Sequence, residues 1–156
     1  MLYTIETISP ICHKLQAVGT KVVLATGFFD LLHEEHIHFL QKAKSRGDIL
    51  VVAVESDARA RKLKGEGRPV ESQGVRCEKL AKYADYVVAL GDDFDHLAAY
   101  DSLMAAVRPS IYAVSSHTEY QENKSFLAQK YGGKLVVVHE FNPKISTSII
   151  LKNGRI

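Results

Sequence analysis

Five short runs of consecutive apolar residues, rich in Val and Ile, recur along this chain: 22–26 (VVLAT), 49–54 (ILVVAV), 86–90 (YVVAL), 111–114 (IYAV) and 135–138 (LVVV). None alternates apolar with polar residues, so each reads as a strand covered on both faces rather than a half-solvated one. The segments between them carry helical spacing: 36–46, with Ile37, Leu40 and Ala43 on one face, then 71–83, 95–107 and 119–131. Gly132-Gly133 closes the last of these as a helix stop. Strand–helix alternation at this pitch points to an α/β fold, a Rossmann-like three-layer sandwich with a five-stranded parallel sheet.

Right-handed crossovers would bring the C-terminal ends of those strands, and the loops after them, to one edge where ligands bind. That edge should gather residues 27–36, 55–64, 89–95, 115–118 and 139–148. Residues 1–20 read as an N-terminal extension, a short helix packed outside the sheet, and residues 21–156 as the domain. The stretch 62–74, with three glycines and a proline, reads as a flexible loop.

A chain of 156 residues can bury a proper core as one domain without covalent staples. A formal charge of +2, with lysines and arginines scattered, speaks against a nucleic-acid partner. The apolar runs are strand-length and Glu6 interrupts the N-terminus, so neither a membrane span nor a signal peptide is expected and the location reads as cytoplasmic. Cys12 and Cys77 suggest neither a disulfide framework nor a zinc site.

Three segments carry chemistry. In "ATGFFDLLHEEH" a strand ends at Gly27, where the backbone can turn sharply into a helix start that presents free N–H groups and a positive dipole end. His33 and His36, at i and i+3, can both reach one anion bound there. The plain alternative is that Asp30 caps a turn and the histidines are solvated. A metal site is not expected: the spacing is not H-E-x-x-H, and no third ligand is placed by sequence. In "FNPKISTSII" the hydroxyls of Ser146, Thr147 and Ser148 follow Pro143, as an anion site or an ordinary N-cap. In "LKGEGRPVESQGVRCEKL" Lys64, Arg68 and Arg76 flank a glycine-rich loop that could close over phosphates, or form a basic surface.

Together, "TGFFDLLHEEH", "GRPV…R" and "ISTSII" resemble the cytidylyltransferase-like nucleotidyltransferases, the HxGH superfamily, over about residues 21–150. The stretch "VVAVESDARARKLKGEGRPV" is most similar to the heptose-phosphate adenylyltransferase branch; glycerol-3-phosphate cytidylyltransferase is another member. The resemblance implies transfer of a nucleoside monophosphate from ATP or CTP to a small phosphorylated acceptor, with release of pyrophosphate and with Mg²⁺ accompanying the triphosphate. It implies catalytic roles for His33, His36, Lys64 and Arg76. It implies nucleotide contacts from Gly27, Phe28, Phe29, Arg68, Ser115, Thr118, Ser146 and Thr147. Asp30, at the family's F-D step, would orient the first turn. Relatives are often dimers, so a homodimer stands as an expectation with no interface assigned.

The pattern departs from the family in three places. Glu35 occupies the position of the HxGH glycine, where a carboxylate about 4 Å from a phosphate charge costs on the order of 4 kcal/mol at an effective dielectric of about 20. "AVSSHTEY" lacks the family's lysine- and glycine-bearing loop, and "ISTSII" lacks a following basic residue. These changes leave a second reading open: a catalytically degenerate protein of the same fold that binds a nucleotide or a phosphometabolite.

Overall fold

The computed structural model describes residues 2–140, 144 and 147–152. Six parallel strands form one sheet: β1 (Leu2–Tyr3), β2 (Val22–Gly27), β3 (Ile49–Val54), β4 (Tyr86–Ala89), β5 (Ile111–Ser115) and β6 (Lys134–His139), in the order β1-β4-β3-β2-β5-β6. The connecting helices are α1 (Ile5–Ala17), α2 (Glu34–Lys44), α3 (Asp57–Lys64), α4 (Gln73–Leu80), α5 (Leu97–Val107) and α6 (Gln121–Lys130), followed by a short α7 (Thr147–Lys152).

The unbroken apolar runs have the expected cause. Along β2, Val22 and Leu24 join a core with Ile8 and Cys12 of α1, Leu103 and Val107 of α5, and Leu127 of α6. Val23 and Ala25 point the other way, into a core with Phe39, Leu40 and Ala43 of α2 and Cys77 and Leu80 of α4. From Val22 to Ala25 successive side chains thus meet opposite helical layers, and none of these four positions faces water. Among the described residues no helix is long and apolar enough to cross a membrane. Both cysteines are free and buried.

Two expectations need correction. The sheet has six strands rather than five, because Leu2 and Tyr3 pair with Val87 and Val88 at its edge. A two-residue strand has no sequence signature of its own. The segment behind it is helical, and its Ile8 and Cys12 are fully buried in the core on one face of the sheet. Helix α3 lies where an edge loop was expected; its only buried residue is Ala60, so it shows no apolar stripe, and Ser56 caps it by accepting from the Arg59 N–H. At the end of α6 Gly132 takes φ +88, and a Cβ on Gly133 would lie 2.0 Å from the Pro109 carbonyl, so this pair does end the helix.

Strand order reverses between β2 and β5, the place where open α/β sheets leave a crevice. The β2–β5 ladder pairs only Val23 with Ile111 and Leu24 with Tyr112. Beyond it a side-chain bond from Thr26 Oγ1 to Tyr112 Oη (2.8 Å) spans the strands.

Candidate active site

A cavity of about 550 Å³ opens at this reversal point, on the C-terminal edge of the sheet. Its floor is the end of β2 and the turn that leads into α2. That turn is unusual: Phe29 and Leu31, neither of them glycine, have φ of +53 and +50. Such conformations cost on the order of 1–3 kcal/mol each and persist only when neighbours over-determine them. Here the loop between α3 and α4 does so. Buried Asp30 accepts from the Val70 N–H (2.9 Å), the Glu71 N–H (3.0 Å) and Arg68 Nε (3.2 Å), while Glu71 accepts from the Leu31 N–H. Burial alone would raise the Asp30 carboxyl pKa, but these three donors outweigh it and hold it below the usual range. A Cβ on Gly27 would lie 3.0 Å from the Phe29 ring, so a larger residue at the start of the turn would press on that ring.

The two histidines stack on the helix start, rings parallel and 3.8 Å apart. The His33 N–H donates to His36 Nδ1 (3.3 Å), which places the His36 proton on Nε2. Burial, with His33 beside it, pushes the His36 pKa down to about 3; burial also lowers that of His33, against the pull of Glu35 and Glu34. Both rings are therefore neutral. His33 Nδ1 and Nε2 are buried without a hydrogen-bond partner among the described residues, a cost of about 1–3 kcal/mol per group that a ligand would relieve.

Most of the residues expected at the site line this cavity: Gly27, Phe28, Phe29, His33, His36, Lys64, Arg68, Ser115, Thr118 and Thr147. Lys64 is exposed as a whole, but its ammonium lies 5.5 Å from the Phe28 ring centre. Partial desolvation, with Arg68 nearby, lowers its pKa. Arg68 is buried and committed to Asp30, with its Nη1 on Ser148 Oγ at 3.2 Å. Thr147 is buried, and its hydroxyl donates to the Asp30 carbonyl (2.5 Å) rather than standing open for phosphate. Ser115 Oγ meets His117 Nδ1 at 2.8 Å. Ser146 lies outside the described residues.

Arg76 is placed elsewhere. It is completely buried and does not line the cavity; its guanidinium donates to the Phe28 carbonyl (2.7 Å), the Glu71 carbonyl (3.1 Å) and Asp57 Oδ1 (2.7 Å). It braces the turn that carries the histidines. The loop read as flexible is likewise pinned at Arg68, Val70 and Glu71 by Asp30, while its Gly65–Gly67 end is exposed. The loop after β4, expected at the same edge, does not reach the cavity.

Glu35 does line the cavity, but its carboxylate leans toward β6, with Oε1 3.3 Å from His139 Nε2. Sequence reasoning also missed Lys124, Glu55 and Tyr100. The cation absent from the β5 loop is supplied by half-buried Lys124 in the first turn of α6, whose Nζ donates to Thr118 Oγ1 (2.6 Å). Glu55 is buried at the end of β3 and accepts from Tyr100 Oη at 2.8 Å. Its place just past a strand end is a signal that could have found it. Tyr100, mid-helix in α5, offers none.

A strained, braced turn after the first central strand, a histidine pair at a helix start and a crevice at the strand reversal form one constellation. The model of the cytidylyltransferase-like family matches residues 24–153. This chain belongs to that family. The cytidylyltransferase-like chain is also 31% identical over 159 residues to the bifunctional protein HldE of Desulfatibacillum aliphaticivorans, covering 99% of this chain and 32% of that protein. It is 38% identical over 138 residues to HldE of Pelobacter propionicus, covering 86% and 27%. The chain thus spans about a third of the length of these relatives. Among solved structures, a lipopolysaccharide core biosynthesis protein from Thermoplasma volcanium matches with a TM-score of 0.60 and 29% identity, over 80% of this chain and 98% of that one. The resemblance drawn from the three motifs holds at the level of the family.

Proposed function

We propose that the chain is a nucleotidyltransferase that moves a nucleoside monophosphate from ATP or CTP onto a sugar phosphate. The observation that carries this reading is the stacked pair His33–His36, neutral, at a helix start and facing a cavity that also holds Lys64 and Lys124. In the proposed step an oxygen of the acceptor phosphate forms a bond to the α-phosphorus, the bond from that phosphorus to the bridging oxygen breaks, and pyrophosphate leaves. No protein nucleophile is needed, and the protein supplies position and charge. The fixed tautomer of His36 makes its Nε2–H a donor to an α-phosphate oxygen, and a phosphate oxygen would accept from the one protonated ring nitrogen of His33. Lys64 offsets charge on the leaving group. The sugar-phosphate acceptor is favoured by the likeness to a lipopolysaccharide core biosynthesis protein.

Mg²⁺ belongs to this proposal as the partner of the triphosphate. Among the described residues no three metal-ligating side chains converge. Such an ion would be carried in on the phosphates and completed by water.

The rival, a binding protein that no longer transfers, is favoured by one observation: Glu35 on the cavity wall adds negative charge where phosphates would lie. Pyrophosphate release from ATP and CTP with a panel of sugar phosphates separates the two. Release that falls by about 10²–10³ in kcat in His36→Ala, with an unchanged melting temperature, supports transfer. Tight triphosphate binding with no release for any acceptor selects the binding protein.

A further inference from the structure

One wall of the cavity carries chemistry that phosphate binding does not use. Glu55, directly after the last residue of β3, is 7% exposed. Its Oε1 accepts from Tyr100 Oη at 2.8 Å and lies 3.8 Å from Arg59 Nε. No hydrogen bond reaches its Oε2 among the described residues, and the side chain lines the cavity. Arg59 Nε is itself buried and without a hydrogen-bond partner among the described residues. Lys124 lines the same cavity, and the Glu55 carboxylate acts on it, opposing the fall in its pKa that burial causes.

The ligand that fits this wall follows by exclusion. A phosphate is repelled by a buried carboxylate at contact distance. An ammonium group is opposed by Lys124 and Arg59, which already answer the charge of Glu55. What remains is a neutral donor that can also accept, and a hydroxyl does both. A carboxylate oxygen takes an O–H as a strong, charge-assisted bond, and an adjacent ammonium donates to a neighbouring hydroxyl oxygen. On the transfer reading above, we propose that Glu55, with Tyr100 and Lys124, forms a diol-reading subsite that takes a vicinal hydroxyl pair of a sugar ring. Two sources offer that pair, the ribose of the nucleotide and the ring of the acceptor.

The test is calorimetric binding to wild type and Glu55→Gln, which keeps the shape and the acceptor for Tyr100 but removes the charge. One arm uses ATP and CTP beside their 2′-deoxy and 3′-deoxy forms. The other uses mannose 1-phosphate and glucose 1-phosphate beside their deoxy analogues, with inorganic phosphate as the reference. Removing a hydroxyl from the right ligand, or the charge from Glu55, should each weaken binding roughly 10- to 100-fold. Making both changes together should cost little more than either alone. The arm that shows this coupling names the source.

Losses that simply multiply in both arms overturn the subsite; sugar phosphates no tighter than inorganic phosphate in wild type exclude only the acceptor ring as its source. These readouts need no turnover. Coupled, hydroxyl-dependent binding without pyrophosphate release would sink the transferase and leave the subsite standing. Pyrophosphate release with binding blind to Glu55 would do the reverse.

Discussion

Glu35 Oε1 lies 3.3 Å from His139 Nε2, and His139 Nδ1 lies 3.0 Å from Lys42 Nζ. With the Lys42 ammonium donating to Nδ1, the His139 proton sits on Nε2 and is donated to Glu35. A positive charge on α2 is thus relayed through a buried ring on β6 to the acid that replaces the motif glycine. If this pairing is what lets Glu35 share a cavity with phosphates, then His139→Ala should weaken ATP or CTP binding by about 10- to 100-fold, part of the roughly 4 kcal/mol that an unscreened carboxylate would cost. Adding Glu35→Gly should restore it. Titration calorimetry on the three variants decides the matter, and a double variant as weak as His139→Ala alone would count against the pairing.

The neutral histidine pair sets a pH dependence. The His36 pKa falls from an ordinary value of about 6.5 when unfolded to about 3 when folded. The unfolded chain therefore binds the proton first. The stability held by neutral His36 is complete above about pH 6.5 and declines as pH falls toward 3, by up to about 1.4 kcal/mol per unit. Asp30, whose pKa is depressed, acts lower: its contribution is present above about 3.9 and is lost as pH falls through its folded value. Urea unfolding at pH 7, 6 and 5 should show the first decline in wild type and a flatter profile in His36→Gln. Equal slopes in both proteins would refute a buried neutral ring.

Arg76 is a bracing residue. Its guanidinium is fully buried and joins the Phe28 and Glu71 carbonyls to Asp57. Arg76→Met should destabilise by about 3–5 kcal/mol, because it leaves those acceptors without their donor. Arg76→Lys, which lacks the planar fork, should recover only part of that. Denaturant midpoints measure it. A variant as stable as wild type but unable to bind triphosphate would instead place Arg76 among the ligand contacts.

Lys64 should behave in the opposite way. It is exposed and makes no ion pair among the described residues, and its ammonium lies 5.5 Å from the Phe28 ring centre. Lys64→Met should leave the unfolding free energy within about 0.5 kcal/mol of wild type. The same change should lower kcat by about 10²–10³ if its charge offsets that of the leaving group. Loss of stability with kcat intact would reverse these roles.

The amino-acid sequence by itself determined the layers. Unbroken apolar runs such as Val22–Ala25 leave no polar face, so helices had to cover both sides of the sheet. It also determined that Gly27, His33, His36 and Ser115 meet, because each ends a strand or opens a helix at one edge. That information is local and periodic, so it can be read in order along the chain.

What each charge does there was decided only in the folded protein. Arg68 and Arg76 look alike in sequence, yet one is tied to Asp30 at the cavity wall and the other braces Phe28 from behind. Lys124, supplied by α6, stands in for a cation absent from the β5 loop. The fate of Glu35 rests on a register shift where β5 pairs with β6: Ser115 faces His139 rather than Val138. This irregularity interrupts strand alternation and lets His139 meet α2. Pairings of this kind join residues as far apart as Glu35 and His139, and their energy depends on burial and geometry that no local pattern encodes.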